Sequence, residues 1–184
     1  LGINAGFQPG VMKGSSNNTK GVDFTMSYRK QRVTVGANIN LTETSGNNSP
    51  YGDFSAFSQA NPYYRMTNDD GTYDQILDNF TAAGSTTVTN PLYNSNIGIK
   101  DLQRSLSIAS SLNFEYMILD NLRLTESLQY TRGTARTEKF LPADHTSFAN
   151  ETDKTLKGSY SKNTGESTSW SSNLGLNYNL PIKK

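Results

Sequence analysis

Residues 105–130, SLSIASSLNFEYMILDNLRLTESLQY, decide the fold class because apolar and polar side chains alternate along most of their length. Before the short Leu119-Asp120-Asn121 stretch, the apolar positions are Leu106, Ile108, Leu112, Phe114, Tyr116 and Ile118. After that stretch they are Leu122, Leu124, Leu128 and Tyr130. A period of two residues places such side chains on one face of a β-strand. The segment therefore predicts two long strands joined by a short turn at 119–121.

The same alternation recurs at residues 22–28, 33–41 and 170–180, and residues 1–7 look like the end of an earlier strand. Together these segments predict about six strands, most of them roughly ten to sixteen residues long, whereas strands of globular proteins cluster near 5–6 residues. A strand that crosses a bilayer needs about 9–11 residues for the hydrocarbon layer alone. Strands of this length therefore favour a membrane protein.

The connections between the predicted strands alternate between short and long. Short turns are predicted at 30–32 and 119–121, and long loops at about 8–19, 43–102 and 140–166. Transmembrane β-barrels alternate in this way, with short periplasmic turns and long extracellular loops. The order of strands and turns predicts an antiparallel meander.

The composition agrees with strands that have one apolar and one polar face. Charged residues make up only 18% of the chain, while Asn, Ser and Thr supply 61 of its 184 residues. A polar face that is mostly uncharged suits a wetted lumen, whereas the outer face of a soluble sheet usually carries more Lys and Glu. A large soluble β-sandwich or adhesin with polar loops is the alternative, because each strand signal is weak by itself.

Most charged residues of the predicted strands respect this division. Arg29, Arg32 and Arg123 fall on the polar face, which avoids a cost of about 2–4 kcal/mol for such a residue at the lipid midplane. Glu126 is the exception on the apolar face: either it lies near a membrane interface or the predicted register slips there. The aromatic residues expected near strand ends, where girdles would lie, are Tyr28, Tyr116, Tyr130, Trp170 and Tyr178.

Candidate catalytic and metal-binding residues are few. The chain has no Cys, which excludes disulfides and thiolate sites. The single histidine, His145, lies in a predicted loop, and we expect a packing or hydrogen-bonding role for it. The acidic run 68–74 would be a calcium loop only with Met66 and Leu77 as its first and twelfth ligands, so it predicts a plain turn instead. We therefore predict no catalytic activity, metal or cofactor, and the net charge of +1 predicts no nucleic-acid partner.

The longest predicted loop is rich in aromatic residues: Tyr51, Phe54, Phe57, Tyr63, Tyr64, Tyr73, Phe80 and Tyr93. Two interpretations stay open. Most of these rings could form a small core that holds the loop together, and some could contact a ligand or partner. The candidate ligand-contacting residues are Tyr63, Tyr64 and Arg65.

Several segments of the predicted loops resemble a known family. In chain order they are SPYGDFS at 49–55, ANPYYR at 60–65, NDDG at 68–71, NPLYN at 90–94, LPADHTSF at 141–148 and KGSY at 157–160. Their order and spacing closely resemble the β-barrel region of SusC/RagA-type TonB-linked outer-membrane proteins of Bacteroidetes. The resemblance extends from about residue 21 to residue 180.

The resemblance implies that residues 1–184 are a fragment of a TonB-dependent receptor β-barrel domain, without its plug and its remaining strands. The implied fold is all-β: an antiparallel meander forming a partial transmembrane β-barrel of about six long strands, with short periplasmic turns and long extracellular loops. The implied location is the outer membrane. The implied function is import of glycans or other oligomeric nutrients, such as peptides, without covalent chemistry.

The partners that the resemblance implies are a SusD-like surface lipoprotein, the TonB complex through parts outside this chain, a glycan or peptide ligand and outer-membrane lipid. Two other functions remain open. One is a soluble or surface-exposed β-rich binding module or adhesin, and the other is a passive porin.

Overall fold

The alternating segments of the sequence form long strands in the computed structural model, which describes residues 1–58, 60–80 and 86–180. In chain order the strands are β1 (Gly2–Pro9), β2 (Ser16–Lys30), β3 (Val33–Asn47), β4 (Ile76–Phe80), β5 (Thr86–Thr89), β6 (Lys100–Leu119), β7 (Leu122–Leu141) and β8 (Ser159–Tyr178). The helical elements are the five-residue helix α1 (Phe54–Ser58) and the 3₁₀ turns Tyr93–Asn96, Thr146–Phe148 and Lys154–Leu156.

Six of these strands form one antiparallel sheet in the order β1-β2-β3-β6-β7-β8. Each strand pairs with its neighbour in the chain, except that the β4–β5 hairpin is inserted between β3 and β6 as a separate two-stranded sheet. The predicted all-β antiparallel meander is thereby confirmed. Within the described residues the large sheet is open, with β1 and β8 as its edges.

The strands are longer than the alternation predicts. β6, β7 and β8 each have 20 residues, and the connections shrink to 10–15, 48–99 and 142–158. The extra residues lie toward these connections, where charged residues together with Ser, Thr and Asn replace the apolar members of the pattern. In these parts the pairing between strands, rather than an apolar face, maintains the extended backbone. The two short turns lie at the predicted places, 31–32 and 120–121.

The register brings the predicted apolar residues of every strand onto one face. In one row across the sheet, Val35 pairs with Phe114, Phe114 with Glu126 and Glu126 with Leu174. Glu126 therefore lies on the apolar face without any slip of register, which excludes the second of the two explanations for it. The Ser172 hydroxyl, also on this face, donates a hydrogen bond of 2.6 Å to the Glu126 carboxylate.

This face carries a continuous stretch of apolar side chains, which we call the apolar band. It extends from the row that contains Leu122 and Tyr178 to the row that contains Val22, Leu41 and Ile108. No hydrophobic side chain is buried anywhere in residues 1–58, 60–80 and 86–180, and Trp170 is 78% exposed. The sheet is thus a single layer, and nothing in the described chain packs over the apolar band.

Two of the predicted girdle residues do not lie at strand ends. Tyr130 and Trp170 pair directly with each other in the middle of β7 and β8. The prediction placed them at the ends because the outer halves of these strands have too few apolar residues to be recognised. Both rings nevertheless lie next to the last row of the apolar band. Tyr28, Tyr116 and Tyr178 lie near the short turns, as predicted.

The turn between β2 and β3 contains the only non-glycine residue with a positive φ among the described residues, Gln31 at 51°. A side chain in this left-handed region costs about 1–2 kcal/mol, and glycine avoids that cost. We predict that Gln31→Gly raises the free energy of unfolding by roughly 1 kcal/mol, as measured by denaturant titration beside the parent sequence. Arg32→Gly is the matched control and should lower stability. A destabilised Gln31→Gly variant would contradict the turn geometry.

Candidate functional site

All three long connections leave the sheet at the same end of its strands, because adjacent strands of a meander run in opposite directions. Residues 10–15 join β1 to β2, residues 48–99 join β3 to β6, and residues 142–158 join β7 to β8. We call the described residues of these three connections the loop layer. The segments that carry the family resemblance lie almost entirely within this layer, so the fold gathers them at one end of the sheet.

Hydrogen bonds join the three connections to one another. The Ser49 hydroxyl donates to the carbonyl of Lys13 at 2.7 Å, which links the first connection to the second. Asn94 and Thr146 exchange two hydrogen bonds, of 2.7 and 3.1 Å, which link the second connection to the third. The Gln75 amide also donates to the carbonyl of Asp144 at 2.9 Å. The loop layer is therefore one connected structure.

Asn90 organises the second connection from its interior. It has the one fully buried side chain among the described residues, with 0% of its surface exposed. Its side-chain amide donates to the carbonyl of Met66 at 2.8 Å, and its side-chain carbonyl accepts from the backbone N–H of Leu92 at 3.0 Å. Its backbone N–H donates to Gln75 at 3.0 Å. The side-chain amide thus joins Met66 to Leu92, and the backbone of Asn90 adds Gln75. The NPLYN motif contained this role, but the sequence did not reveal it.

The predicted ligand contacts Tyr63, Tyr64 and Arg65 have three different environments. Tyr63 is 93% exposed. The Tyr64 hydroxyl donates to the Asp78 carboxylate at 3.1 Å, and loss of solvation together with this contact raises the pKa of Tyr64. Arg65 forms an ion pair with Asp69 and donates to the carbonyl of Thr67 at 3.1 Å. Of the three side chains, only that of Tyr63 is directed into solvent without a hydrogen bond in the loop.

The acidic segment forms the turn that the sequence predicts. The Gly71 N–H donates to the carbonyl of Asn68 at 3.0 Å, and Gly71 has a φ of 82°. The Asp70 carboxylate accepts from both the backbone and the hydroxyl of Thr72, and these bonds lower the pKa of Asp70. In the described parts of the chain no three His, Asp or Glu side chains converge in a way that could hold a metal ion.

His145 caps a short helical turn in the third connection. Its Nδ1 accepts a hydrogen bond of 3.0 Å from the Ser147 N–H, and its ring makes an edge contact with Phe148. Partial burial, and secondarily the charge of Lys139, lower the pKa of His145. The neutral ring is the form that can accept this bond. The structure therefore confirms the predicted hydrogen-bonding role.

The aromatic residues of the loop do not form a buried core. Five are half-buried, namely Tyr51, Phe57, Tyr64, Tyr73 and Tyr93. Three are exposed, namely Phe54, Tyr63 and Phe80. The predicted aromatic core is therefore only partial, because polar side chains such as Asn90 hold the loop layer together instead.

A cavity of about 490 Å³ lies where the first two connections meet the polar face of the sheet. Its lining includes Asp53, Phe54, Asp101 and Lys139, and the last two pair directly across β6 and β7. The volume is in the range of small-molecule sites, and the lining offers an aromatic ring with both signs of charge. Asp101 and Lys139 have no local motif, so only the register could have revealed them as neighbours.

The polar face continues from this cavity to the short turns. Near those turns a second cavity, of about 470 Å³, is lined by Thr34, Asn113, Glu115, Thr125, Asn173 and others. Arg123 forms an ion pair of 3.4 Å with Glu115 beside it. The polar face is thus lined with hydrogen-bonding groups along its whole length. None of the helices in the described residues has the length and apolarity that a bilayer crossing requires.

Because the Asn90 side chain joins Met66 to Leu92, its removal should loosen that loop and leave the sheet intact. We predict that Asn90→Ala lowers the local stability of residues 60–80 and 86–95 by roughly 2 kcal/mol, since the groups that its side chain satisfies lose their partners. Hydrogen exchange of those residues should rise, while that of β6 and β7 should not change. The exposed Asn96 is the matched control, and Asn96→Ala should have little effect. Equal exchange in both variants would contradict the role of Asn90.

Comparison with known proteins does not identify a family for the chain. A scan against models of protein families finds no match, and no curated protein matches the sequence. The SusC/RagA resemblance therefore stays a prediction, which depends on the loop segments and on the pattern of strands and turns.

Proposed function

We propose that the chain is part of the outer-membrane barrel of a TonB-dependent, SusC-like importer of glycans or other oligomeric nutrients. The observation that supports this proposal most is the apolar band. It is exposed because no second layer of the described chain covers it. An uncovered apolar face of this extent in water would favour association or aggregation. Contact with the hydrocarbon of a bilayer would cover it without any further protein layer.

The height of the apolar band suits a bilayer. From the row of Leu122 to the row of Arg132, β7 advances by ten residue steps, or roughly 34 Å along the strand at about 3.4 Å per step. Strands of membrane barrels are tilted by about 35–45°, which reduces this length to roughly 26 Å of height. The apolar band of outer-membrane barrels is about 25 Å tall. The two lengths agree without adjustment of the register.

Glu126 is the acidic exception within the apolar band, and its cost in this location is reduced in two ways. It lies four residues from Leu122, which is roughly 10 Å from the edge of a band about 26 Å tall, so it is close to the middle of the band and not near an interface. An acidic residue on the lipid face of a barrel costs less than Arg or Lys. The hydrogen bond from Ser172 lowers the cost of desolvation further.

The polar face would then line the lumen and the loop layer would face the cell exterior. A ligand would first meet the loop layer, where Tyr63 projects into solvent, and would then pass the cavity that contains Asp53, Asp101 and Lys139. Transport requires no covalent bond to be made or broken. It requires only successive surfaces that can form hydrogen bonds with the ligand. The plug, the TonB complex and a SusD-like lipoprotein enter this proposal from the family resemblance.

A membrane location also requires further strands. β1 and β8 present unpaired backbone N–H and C=O groups along their outer edges, and such groups cannot be left unsatisfied in hydrocarbon. In the proposed barrel, neighbouring strands of the same protein would pair with both edges.

The first test measures whether lipid or water contacts each face of the sheet. Spin labels at Leu112, Phe114, Leu174 and Leu176, placed singly in the whole protein in lipid, should collide with dissolved oxygen more than with an aqueous nickel complex. Oxygen is enriched in hydrocarbon, whereas the nickel complex is excluded from it. The matched controls on the polar face are Ser111, Asn113, Asn173 and Gly175, and labels there should show the opposite preference.

The spin-label result also separates the proposal from its main alternative. A soluble binding module or adhesin would be monodisperse without detergent, and labels on both of its faces would contact only water or protein. That outcome would overturn the membrane location.

The second test separates an energised importer from a passive porin. Cells that express the whole protein should accumulate the nutrient that requires it, and deletion of TonB should reduce accumulation to the level of cells without the protein. Replacement of Tyr63 by Ala should reduce capture with the loop layer intact, whereas Tyr63→Phe should retain most of it. Accumulation that does not depend on TonB would favour the porin.

A further inference from the structure

Two arginines face each other across β6 and β7, on the same face as the apolar band. Arg104 pairs with Arg136 in the register, and their neighbours in that row are Ser45 on β3 and Thr164 on β8. Directly opposed residues have Cβ atoms about 5 Å apart, and like charges in this arrangement repel each other. Both arginines are exposed, and in the described residues neither forms an ion pair.

The acidic residues nearby are matched one for one by other cations, although of these pairs only Arg132 and Glu166 form an ion pair among the described residues. Across the strands Lys20 lies opposite Glu43, and Lys162 lies opposite Glu138. Glu166 forms an ion pair of 3.5 Å with Arg132. These acids lie in the rows directly above and below the arginine pair. Arg104 and Arg136 are therefore a surplus of two positive charges held side by side.

The position of the pair relates it to the membrane that we propose. Arg104 lies four residues beyond Ile108, the last row of the apolar band, which is roughly 14 Å along the strand and about 10 Å in height. Headgroups occupy the first several ångströms outside the hydrocarbon. Long arginine side chains can reach back toward that layer while their stems lie on the sheet.

We infer that Arg104 and Arg136 bind the phosphate of an acidic lipid headgroup at the outer surface of the barrel. Two guanidinium groups can each donate two hydrogen bonds to one phosphate, and its negative charge would relieve their repulsion. The hydroxyls of Ser45 and Thr164 are suitable additional donors at either side. This inference rests on the proposed function, because the acyl chains of the lipid would lie on the apolar band directly below.

The inference predicts a specific lipid affinity. In native mass spectrometry of the whole protein in a neutral detergent, titrated phosphatidylglycerol should bind to the parent at least about tenfold more tightly than to Arg104→Gln/Arg136→Gln. Arg104→Lys/Arg136→Lys retains the charge without the paired donors and should have an intermediate affinity. The matched control Lys154→Gln/Lys157→Gln removes two cations from the loop layer and should bind like the parent.

A stability measurement excludes misfolding as the cause. Without acidic lipid, the double glutamine variant should melt no lower than the parent, because a repulsive pair has been removed. With phosphatidylglycerol the parent should gain more in Tm than the variant does. A variant that melts lower without lipid would assign the arginines a structural role and overturn the inference.

Two further outcomes would overturn the inference while the membrane proposal survives. One is equal phosphatidylglycerol affinity for the parent and the double glutamine variant, with the spin labels on the apolar band still contacting lipid. The other is inorganic phosphate that displaces phosphatidylglycerol at equal concentration, which would identify a site for a small anion rather than a lipid. If the labels instead contact water, the proposed function itself fails.

Discussion

The common register of six strands is the constraint on which the rest of this structure depends. Side chains alternate between the two faces of a strand, so a slip by one residue anywhere would exchange the faces of every strand beyond it. The one register shift in the large sheet lies between Met117 and Leu119, beside the turn at 120–121, and no such exchange occurs elsewhere between β1 and β8. The apolar band, the polar face and the position of three connections at one end of the sheet all follow from that pairing.

The central part of the fold could be predicted from the sequence, and the outer halves of the strands could not. Residues 33–41 and 105–130 alternate clearly because one of their faces is apolar. Residues 131–141 and 159–169 lack that contrast, since both of their faces are polar there. Their extended conformation depends on a neighbouring strand, which is information that a local pattern does not contain.

The same limit applies to the candidate site. The turn around Gly71 and the hydrogen-bonding role of His145 were predictable because both depend on residues within a few positions. The cavity that contains Asp101 and Lys139 was not, because these residues are 38 positions apart and meet only through the register. Asn90 was equally hidden, since one of its partners, Met66, lies 24 positions away. Polar contacts between residues so far apart in the chain follow no periodicity. The sequence patterns therefore indicated the aromatic residues, rather than Asn90, as the residues that hold the loop together.

The single buried asparagine has a consequence for the order in which the chain folds. The β2–β3 and β6–β7 pairs close through two-residue turns, so they can form early from local contacts. Pairing of β3 with β6 must instead close a segment of about 52 residues, and the entropy lost in doing so grows with the length of the free segment. By fastening Met66, Gln75 and Leu92 together, Asn90 shortens the effective length of that segment. The β2–β3 and β6–β7 hairpins would then join by pairing β3 with β6. The entropy lost in that step would be smaller, because part of the connecting segment is already fastened.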